Sequence, residues 1–453
     1  MNPRKIRFFG GFTLFFLIVA YVLPTIDAYD TPDPKGNVTI TWDIVKFSND
    51  VSQYNVKVSI INYQLYRHVE NPGWKLQWDW WGDEVIWSMQ GAEAVEQGNC
   101  QRIKSSTPPH CCKKTPRIID LLPSAPYNMQ TQNCCKGGVI STINQDPTKY
   151  GSFFQMSVTA TDFNSSSILT NSSAIETTVP QNFSLGIQGY TCSPPLRVPS
   201  SKFSEDHGRR TTEAFLTWNV TCTYSQFQAS KAPTCCVSLS AFYNDTITMC
   251  PKCSCACRSQ SKCISQNKPP PILRLPHDEN EVVAPQVMCT QHMCPIRVHW
   301  HVKSSYTEYW RVKITINNFN YVRNYSLWTL VAQHPNLQSI QEIFSFEYKA
   351  LNQYGPVNDT GMFWGIKTYN DLLLASGPHG NVQTEMLLRK DKGKFTFRNG
   401  WAFPSKIIFN GDECVMPPAD EYPRLPNKSS PGAIAKPLVP FMLCLLTFIK
   451  LLL

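Results

Sequence analysis

The sequence predicts an all-β protein built from two β-sandwich modules, and three observations support this fold class. Apolar and polar residues alternate in short segments bounded by Asn, Gly and Pro, which is typical of half-buried antiparallel strands. No segment sustains a helical period. The 453 residues include 34 prolines, 18 cysteines and 12 tryptophans, but only 17% charged residues. This composition excludes a coiled coil and a disordered polyelectrolyte, and it favours disulfide-braced domains outside the cytosol.

An internal repeat divides the chain. Each copy has a Trp, an alternating run that ends in Asn, and a second Trp followed two positions later by Leu. These residues are Trp42, Asn62 and Trp74 in the first copy and Trp300, Asn318 and Trp328 in the second. We therefore predict sandwiches at 29–195 and 286–418, with a Cys-rich, disulfide-braced segment at 196–285 between them.

The first 28 residues have the features of a secretory signal peptide. A basic stretch at 4–7 precedes an apolar run at 8–23, and Ala28 offers a small residue at the cleavage point. An uncleaved membrane anchor is the alternative, although the apolar run is shorter than the ~20 residues that a span needs.

The opposite end predicts a glycosylphosphatidylinositol (GPI) anchor. A stalk at 419–427 precedes small residues, a short spacer and an apolar tail, so 428–453 is expected to be removed as a propeptide. We predict attachment at Asn427, with Ser430 and Gly432 as alternatives, and a single-pass tail anchor is the competing interpretation. The mature chain would then lie on the outer face of the plasma membrane, held by its lipid at the cell-wall interface.

Both cleavages lower the net charge. They remove six of 42 basic residues and one of 33 acidic residues, which leaves 36 against 32, or +4. No polybasic stripe remains, so nucleic acid is not an expected partner.

Eight Asn-x-Ser/Thr sequons predict a glycosylated surface, and a ninth at Asn427 would lose this role if lipidated. The eight are Asn37, Asn164, Asn171, Asn182, Asn219, Asn244, Asn324 and Asn358.

Seventeen cysteines remain once Cys444 is removed with the tail, so at least one is expected to be free or paired with another molecule. The run CPKCSCAC at 250–257 resembles a thiolate metal site, but an oxidising compartment favours disulfides. We predict no metal and no cofactor.

The segment LQWDWWGDEVIWSM holds four tryptophans. On a strand, Trp78 and Trp80 share a face with Leu76, while Trp81 lies opposite. Exposed rings bind the apolar C–H faces of sugars, so this segment favours polysaccharide binding, although for any single Trp a place in the core is the alternative.

Two resemblances follow from these motifs. The order of Trp, Asn-ending strand, Gly-Trp-x-Leu-x-Trp, Val-Ile-Trp-Ser and a closing Phe-Ser-Leu-Gly…Cys at 29–195 distantly resembles bacterial family-two cellulose-binding modules, which are β-sandwiches. The whole chain more closely resembles the plant COBRA family of GPI-anchored wall proteins, and the matching blocks include NPGWKLQW, PHCCKKTPRIIDLLP, CCVSLSAFYNDTITMCP and GWAFPSKIIFNGDEC. This resemblance implies roles in oriented cellulose deposition and in cell expansion or wall thickening.

The resemblance to the bacterial modules also implies residue roles. Trp42 and Trp74 match buried rings, whereas Phe47 and Trp87 match exposed rings that stack on cellulose. A third exposed ring has no clear counterpart, and Trp80 or Trp81 is a candidate substitute.

In the second copy, Phe344 occupies the position we align with Trp87. Because Phe is the poorer platform, we place carbohydrate binding in the first module.

Enzymatic interpretations are weaker. Four acidic residues near the aromatics, and three histidines at and near Trp300, supply groups for a glycosidase pair or a metal site, but surface acids and structural histidines explain both sets. The acids are Asp43, Asp79, Asp83 and Glu84, and the histidines are His292, His299 and His301. A Ser hydrolase lacks its Gly-x-Ser-x-Gly elbow. We therefore predict a non-enzymatic cellulose-binding protein, with an adhesion or signalling co-receptor that binds a protein partner as the alternative.

Overall fold

The computed structural model describes residues 33–47, 53–105, 107–131, 134–159, 179–205, 209–229, 235–242, 244–251, 263–264, 287–288, 295–320, 324–351, 359–390 and 402–423. Strands dominate this part of the chain, which confirms the predicted all-β class. The predicted signal peptide, GPI signal and attachment residues lie outside the described residues. None of the helices in the described ranges is long and apolar enough to cross a membrane.

The strands fall into two series. The first is β1 (Val38–Phe47), β2 (Gln53–Asn62), β3 (Lys75–Asp79), β4 (Val85–Gln90), β5 (Ala92–Ala94), β6 (Arg117–Asp120), β7 (Gly151–Thr159), β8 (Gln181–Ser184), β9 (Tyr190–Cys192), β10 (Leu196–Val198), β11 (Lys202–Glu205), β12 (Arg210–Glu213) and β13 (Leu216–Tyr224). The second is β14 (Cys235–Ala241), β15 (Asn244–Thr248), β16 (Cys263–Ile264), β17 (Val287–Met288), β18 (Ile296–Ser305), β19 (Tyr309–Asn318), β20 (Leu330–Gln333), β21 (Ile340–Ile343), β22 (Phe346–Leu351), β23 (Thr360–Gly365), β24 (Asn381–Arg389), β25 (Lys406–Phe409) and β26 (Asp412–Glu413).

Helical structure in these ranges is short. It comprises α1 (Gln226–Ala229) and the 3₁₀ turns Tyr127–Met129, Pro335–Ser339, Lys367–Asn370, Leu372–Leu374, Gly377–His379 and Ala419–Glu421.

The first sandwich packs two sheets face to face. One sheet has the order β10-β13-β1-β2-β7-β4, with β9 also paired to β13, and the facing sheet has the order β5-β6-β3-β8. Inward residues of both sheets form one core. At its centre the Trp42 ring meets Trp78 and Trp80 edge to face, with centroids 5.3 and 6.0 Å away. Such edge contacts are the favoured geometry of aromatic pairs.

The second sandwich repeats this plan. Its sheets have the orders β15-β14-β18-β19-β24-β21 and β22-β23-β20-β25-β26. The strands β1, β2, β7 and β4 therefore correspond to β18, β19, β24 and β21. Bulges recur at equivalent places, between Ile44 and Lys46 in one copy and between Val302 and Ser304 in the other. The internal repeat in the sequence is thus a repeat of the fold.

Two buried asparagines show why the repeated motif includes Asn. The Asn62 amide donates to the carbonyls of Arg67 and Ser141, and its oxygen accepts from the Gln64 N–H. Asn318 likewise donates to two loop carbonyls and accepts from the N–H of Asn320. A short side chain with both donors and an acceptor therefore ends each second strand and fixes the loop that follows.

The predicted middle segment is not an independent unit. Its residues supply β10 and β13 to the first sandwich, where β13 pairs antiparallel to β1. They also supply β14 to the second sandwich, where it pairs parallel to β18. The boundary at 195/196 is therefore corrected, because these strands complete sheets that the flanking modules leave unfinished. The boundary at 285/286 lies outside the described residues.

Five disulfides brace the described chain. They are Cys100–Cys112, Cys134–Cys135, Cys192–Cys222, Cys235–Cys414 and Cys236–Cys250. The third ties the end of the first copy to β13, and the fourth ties the end of the second copy to β14. Cys111 is free and buried, in keeping with the expected unpaired thiol, and burial raises its pKa.

One end of the first sandwich packs on the second. Tyr66, only 1% exposed, lies in an apolar cluster with Val331, Met362 and Ile408 of the facing sheet. The Thr329 hydroxyl donates to the Tyr66 carbonyl at 2.8 Å. The neighbouring Arg67 lies 3.5 Å over the Tyr224 ring and ion-pairs with Asp412 at 3.3 Å. These contacts follow the end of β2, so the opposite end of the first sandwich points away from the junction.

Candidate functional site

The pairing of four strands brings two predicted ring residues to one end of the first sandwich. Phe47 pairs with Tyr54, Tyr54 with Val158, and Val158 with Ile86, the residue before Trp87. Phe47 and Trp87 are thus three strands apart, roughly 14 Å at the usual spacing. Ten-residue β2 separates this end from the junction by about 33 Å. We call this region the ring end.

Trp87 occupies a β-bulge. The register of β4 against β7 shifts between Ile86 and Ser88, which leaves Trp87 as the extra residue. A bulge re-aims its side chain, and Trp87 is half-buried although Val85 and Ile86 before it are buried. On the other edge of β4, the His110 N–H donates to the Trp87 carbonyl at 3.2 Å. Backbone bonds on both edges therefore hold this position.

Phe47 is also half-buried, and it packs against a ring that no sequence pattern indicates. Phe215 precedes β13, and its centroid lies 5.3 Å from that of Phe47. Phe215 is 54% exposed. The two residues are far apart in the chain, and only the pairing of β1 with β13 brings them together. No local signal identified Phe215, because an isolated Phe before a strand has no special pattern.

Polar side chains adjoin these rings. Ser157 pairs with Ser88, the residue after Trp87. The Gln53 amide donates to the Ser157 hydroxyl, which donates to Asn55 Oδ1 at 2.9 Å. Amide and hydroxyl groups can hydrogen-bond the hydroxyls at the rim of a sugar, and half-exposed rings beside them can stack on its apolar face.

The remaining tryptophans separate into core and surface. Trp42 and Trp74 are buried as predicted. Trp80 is only 3% exposed, so the prediction that it is a candidate exposed ring is wrong. Its place on the same strand face as Trp78 directs it into the aromatic core, where it has no free face for a ligand.

Trp81 is 50% exposed and lines a groove of about 610 Å³ at the open side of the first sandwich. Its indole N–H donates to the Val179 carbonyl at 2.8 Å, which fixes the ring. Pro195, Leu196 and Arg197 lie across the groove. The sequence predicted the exposure of Trp81, but Leu196 and Arg197 come from the predicted middle segment, and their place across the groove follows only from the structure.

The second sandwich lacks rings at the equivalent positions. Its register places Ser305 where the first has Phe47, since both end the first strand of the hairpin two positions beyond the bulge. The bulge between Ile340 and Glu342 leaves Gln341 where the first sandwich has Trp87.

The predicted alignment of Phe344 with Trp87 is wrong. Ile343 pairs with Met386 as Met89 pairs with Met156, so Phe344 corresponds to Gln90. Phe344 is 60% exposed, but it lies three residues beyond the bulge.

The candidate carboxylates have separate neighbours. Asp43 accepts from the Thr217 hydroxyl at 2.6 Å, and burial raises its pKa. Asp79 accepts from the hydroxyl of Thr115 and the amide of Asn182. Glu84 accepts from the Gly82 N–H at 2.8 Å. Each carboxylate thus serves to fix local structure.

His299 and His301 form a hydrogen-bonded chain with two serines. Both ring nitrogens of His299 lie within 2.8 Å of hydroxyls, those of Ser238 and Ser240. His301 Nδ1 lies 2.7 Å from the Ser240 hydroxyl. Burial lowers the pKa of His299 to about 4 and also lowers that of His301. These bonds occupy both ring nitrogens of His299 and Nδ1 of His301, and no group of three metal-binding side chains occurs within the described ranges. His292 lies outside them.

Three predicted sequons are partly or fully exposed with hydrogen-bonded amides. They are Asn37, which donates to the Lys35 carbonyl, Asn182, and Asn219, which accepts from Thr41. Asn324 is exposed. Asn244 lies in β15 with its side chain undescribed, and Asn164, Asn171, Asn358 and Asn427 lie outside the described residues, as do Ser430 and Gly432. Glycosylation at these positions stays a prediction.

Comparison with known proteins identifies relatives of the whole chain. Residues 54–225 match a family model described as the COBRA N-terminal domain, and residues 234–423 match the COBRA family C-terminal domain. The chain is 52% identical over 458 residues to COBRA-like protein 2 of Arabidopsis thaliana, covering 100% of this chain and 99% of the relative. It is also 52% identical to Protein COBRA of Arabidopsis over 92% of this chain and 90% of the relative. Identity to COBRA-like protein 1 of Oryza sativa subsp. japonica is 52%, covering 94% of each chain.

Proposed function

Since this chain belongs to the COBRA family, which supports a cell-wall-related role, we propose that it is a non-enzymatic extracellular glycoprotein that binds cellulose at the ring end of its first sandwich. A GPI lipid would hold it to the outer leaflet of the plasma membrane. In this position it would act in the deposition or orientation of cellulose microfibrils, and so in cell expansion or wall thickening.

The observation that carries this proposal is the difference between the two sandwiches at equivalent positions. The first presents Phe47 and Trp87 where the second has Ser305 and Gln341, although both share the strand order and the bulges. Packing does not demand rings there, since the second sandwich is complete without them. Trp87 is therefore available for a ligand, and Phe47, which packs on Phe215 and on the edge of the core, extends the aromatic surface beside it.

The position of the ring end also fits a large insoluble ligand. It lies at the end of the sandwich that points away from the junction, so the second module does not block the approach of a polymer surface. Stacking on an apolar sugar face removes water from both partners, and the half-buried polar groups of Gln53 and Asn55 can hydrogen-bond the hydroxyls at the sugar's rim.

Replacing the rings with their counterparts from the second sandwich tests the proposal. In the full chain, we expect Trp87→Gln to weaken partitioning onto crystalline cellulose about five- to a hundredfold, since losing one stacked ring in the analogous nucleic-acid case costs ~1 to 3 kcal/mol. Phe47→Ser should add a further loss. Thermal melting should change little for Trp87→Gln, because a Gln occupies the equivalent bulge in the second sandwich.

The matched control is Trp81→Gln, which removes an exposed ring from the groove. Wild-type binding by Trp87→Gln together with loss of binding by Trp81→Gln would move the site to the groove. No binding of the intact protein to crystalline, amorphous or soluble glucans would overturn the proposal and favour a co-receptor with a protein partner.

A further inference from the structure

Charge is unevenly distributed over the second sandwich. The described residues from 295 to 423 contain nine Lys or Arg and ten Asp or Glu. Strands β18, β19, β21 and β24 of one sheet carry five of these cations and two of the acids, which leaves four cations and eight acids elsewhere. These four strands are therefore formally +3, and the other described residues from 295 to 423 are −4. Because inward positions of these strands are apolar, the charges lie on the outer face of the sheet.

The same face of the first sandwich is not basic. By register, Thr39, Lys57 and Thr159 correspond to Arg297, Lys313 and Arg389. Moreover, Lys57 pairs across the sheet with Asp43 and lies 4.0 Å over the Phe203 ring of the β11–β12 hairpin. In the second sandwich His301 replaces that acid, and Glu385, which stands opposite Lys313 on β24, is held by Lys303 and Arg311.

The three cations of the second sandwich form a line. Lys313 lies one strand over and four residues along from Arg297, and Arg389 lies one strand over and four residues along from Lys313 in the same direction. Each step is roughly 14 Å, so the line is about 28 Å long. Neither Lys313 nor Arg389 forms an ion pair within the described ranges.

This face already binds one carboxylate. Glu385 receives the Lys303 ammonium at 2.6 Å and two nitrogens of the Arg311 guanidinium at 2.9 and 2.6 Å. These two cations outnumber the acid they hold, so the face between Lys313 and Arg389 stays net positive.

We propose that the outer face of β18, β19 and β24 binds an extended acidic polysaccharide through the line Arg297, Lys313 and Arg389. A linear polymer with repeated carboxylates can contact cations spread over about 28 Å, which a compact anion cannot. The neutral polar side chains Thr315 and Gln383 lie in the row between Arg297 and Lys313, where sugar hydroxyls would meet them. These groups favour a saccharide over phospholipid headgroups, which offer mainly phosphate. This inference concerns the second sandwich and does not depend on cellulose binding by the first.

The test uses residues that the first sandwich carries at the same positions. The full chain should bind immobilised polygalacturonate, bind its fully methyl-esterified form much less, and lose affinity as salt rises. In Arg297→Thr/Arg389→Thr, we expect about two- to thirtyfold weaker binding and a shallower salt dependence. Lys35→Thr/Lys202→Thr removes the same charge from exposed sites of the first sandwich and should bind like wild type.

Three outcomes overturn the inference. They are equal binding to the charged and esterified polymers, an equal loss in both double variants, and binding to phosphatidylserine vesicles but not to polygalacturonate. Unchanged melting and unchanged cellulose partitioning of Arg297→Thr/Arg389→Thr would show that a loss of polygalacturonate binding reflects this face alone. Failure of cellulose binding would leave the result on polygalacturonate unaffected.

Discussion

The two sandwiches share their inward residues and differ in their outward ones. Trp42 and Trp300, or Ile40 and Val298, lie at equivalent buried positions, and Asn62 and Asn318 end equivalent strands with the same hydrogen bonds. At the ring end, however, rings in the first copy correspond to Ser and Gln in the second. Packing in the core therefore keeps the inward residues similar in the two copies, while the outward residues can differ and so bind different ligands.

The strand that pairs with the first strand of each copy also differs in direction between the two sandwiches. The first sandwich closes with antiparallel β13 and the second with parallel β14, yet a disulfide links each to the end of its copy. A strand added to a sheet edge can run either way, because both directions satisfy the edge's hydrogen-bonding groups. The repeat thus ends where the connecting segment begins.

The largest effect should come from the shared core. Trp74→Ala and Trp328→Ala each delete a fully buried ring and should lower the free energy of unfolding by ~3 to 5 kcal/mol. Trp328 also donates to the Tyr369 carbonyl at 3.2 Å, so its removal should cost more. Denaturant unfolding of both variants measures this. A loss below ~1 kcal/mol in either copy would show that the two cores are not equivalent.

An intermediate effect is expected in the pH dependence of stability, which should differ between the outer faces of the two sandwiches. The pKa of His299 is lowered from 6.5 to about 4, so the unfolded chain binds the proton first, and stability is lost as pH falls from 6.5 towards 4. The loss approaches about 3 kcal/mol, and His299→Thr, which copies Thr41, should remove it.

Asp43, in the adjacent row of the first sandwich, should have the opposite sign. Its pKa is raised by burial, so acidification restores stability that is lost as pH rises through this pKa. Melting temperatures of wild type, His299→Thr and Asp43→Asn at pH 7 and 4.5 test both signs. Identical pH dependence in all three proteins would contradict the assignment.

The smallest effect should come from transferring the ring end. Ser305→Phe/Gln341→Trp gives the second sandwich the two rings of the first, and in a Trp87→Gln background it should restore cellulose partitioning only partly, by about two- to fivefold. Recovery is limited because Arg311 and Leu387 occupy the positions of Asn55 and Ser157, so the polar neighbours of the rings are not transferred. Ser305→Ala/Gln341→Ala is the control. No recovery at all would mean that rings without their polar neighbours do not suffice.

Several features followed from local patterns in the sequence. Alternation identified the strands and placed Trp78 and Trp80 on one face, because side chains alternate strictly along a strand. The repeated Trp and Asn residues predicted two related sandwiches, and an odd number of cysteines predicted a free thiol, which Cys111 provides. Each inference needs only the order and number of residues along the chain, without knowledge of which strands pair.

Other features required the tertiary structure, because they depend on which distant strands pair. The middle segment became parts of two sheets, the bulge at Trp87 shifted the alignment with the second copy, and Phe215 joined Phe47 from far along the chain. The diagonal of Arg297, Lys313 and Arg389 likewise exists only across three strands in register. Alternation along a strand determines the face on which a residue lies, whereas hydrogen bonding between strands determines which residues lie beside it. A ligand contacts several neighbouring side chains at once, so its site depends on the strand pairing.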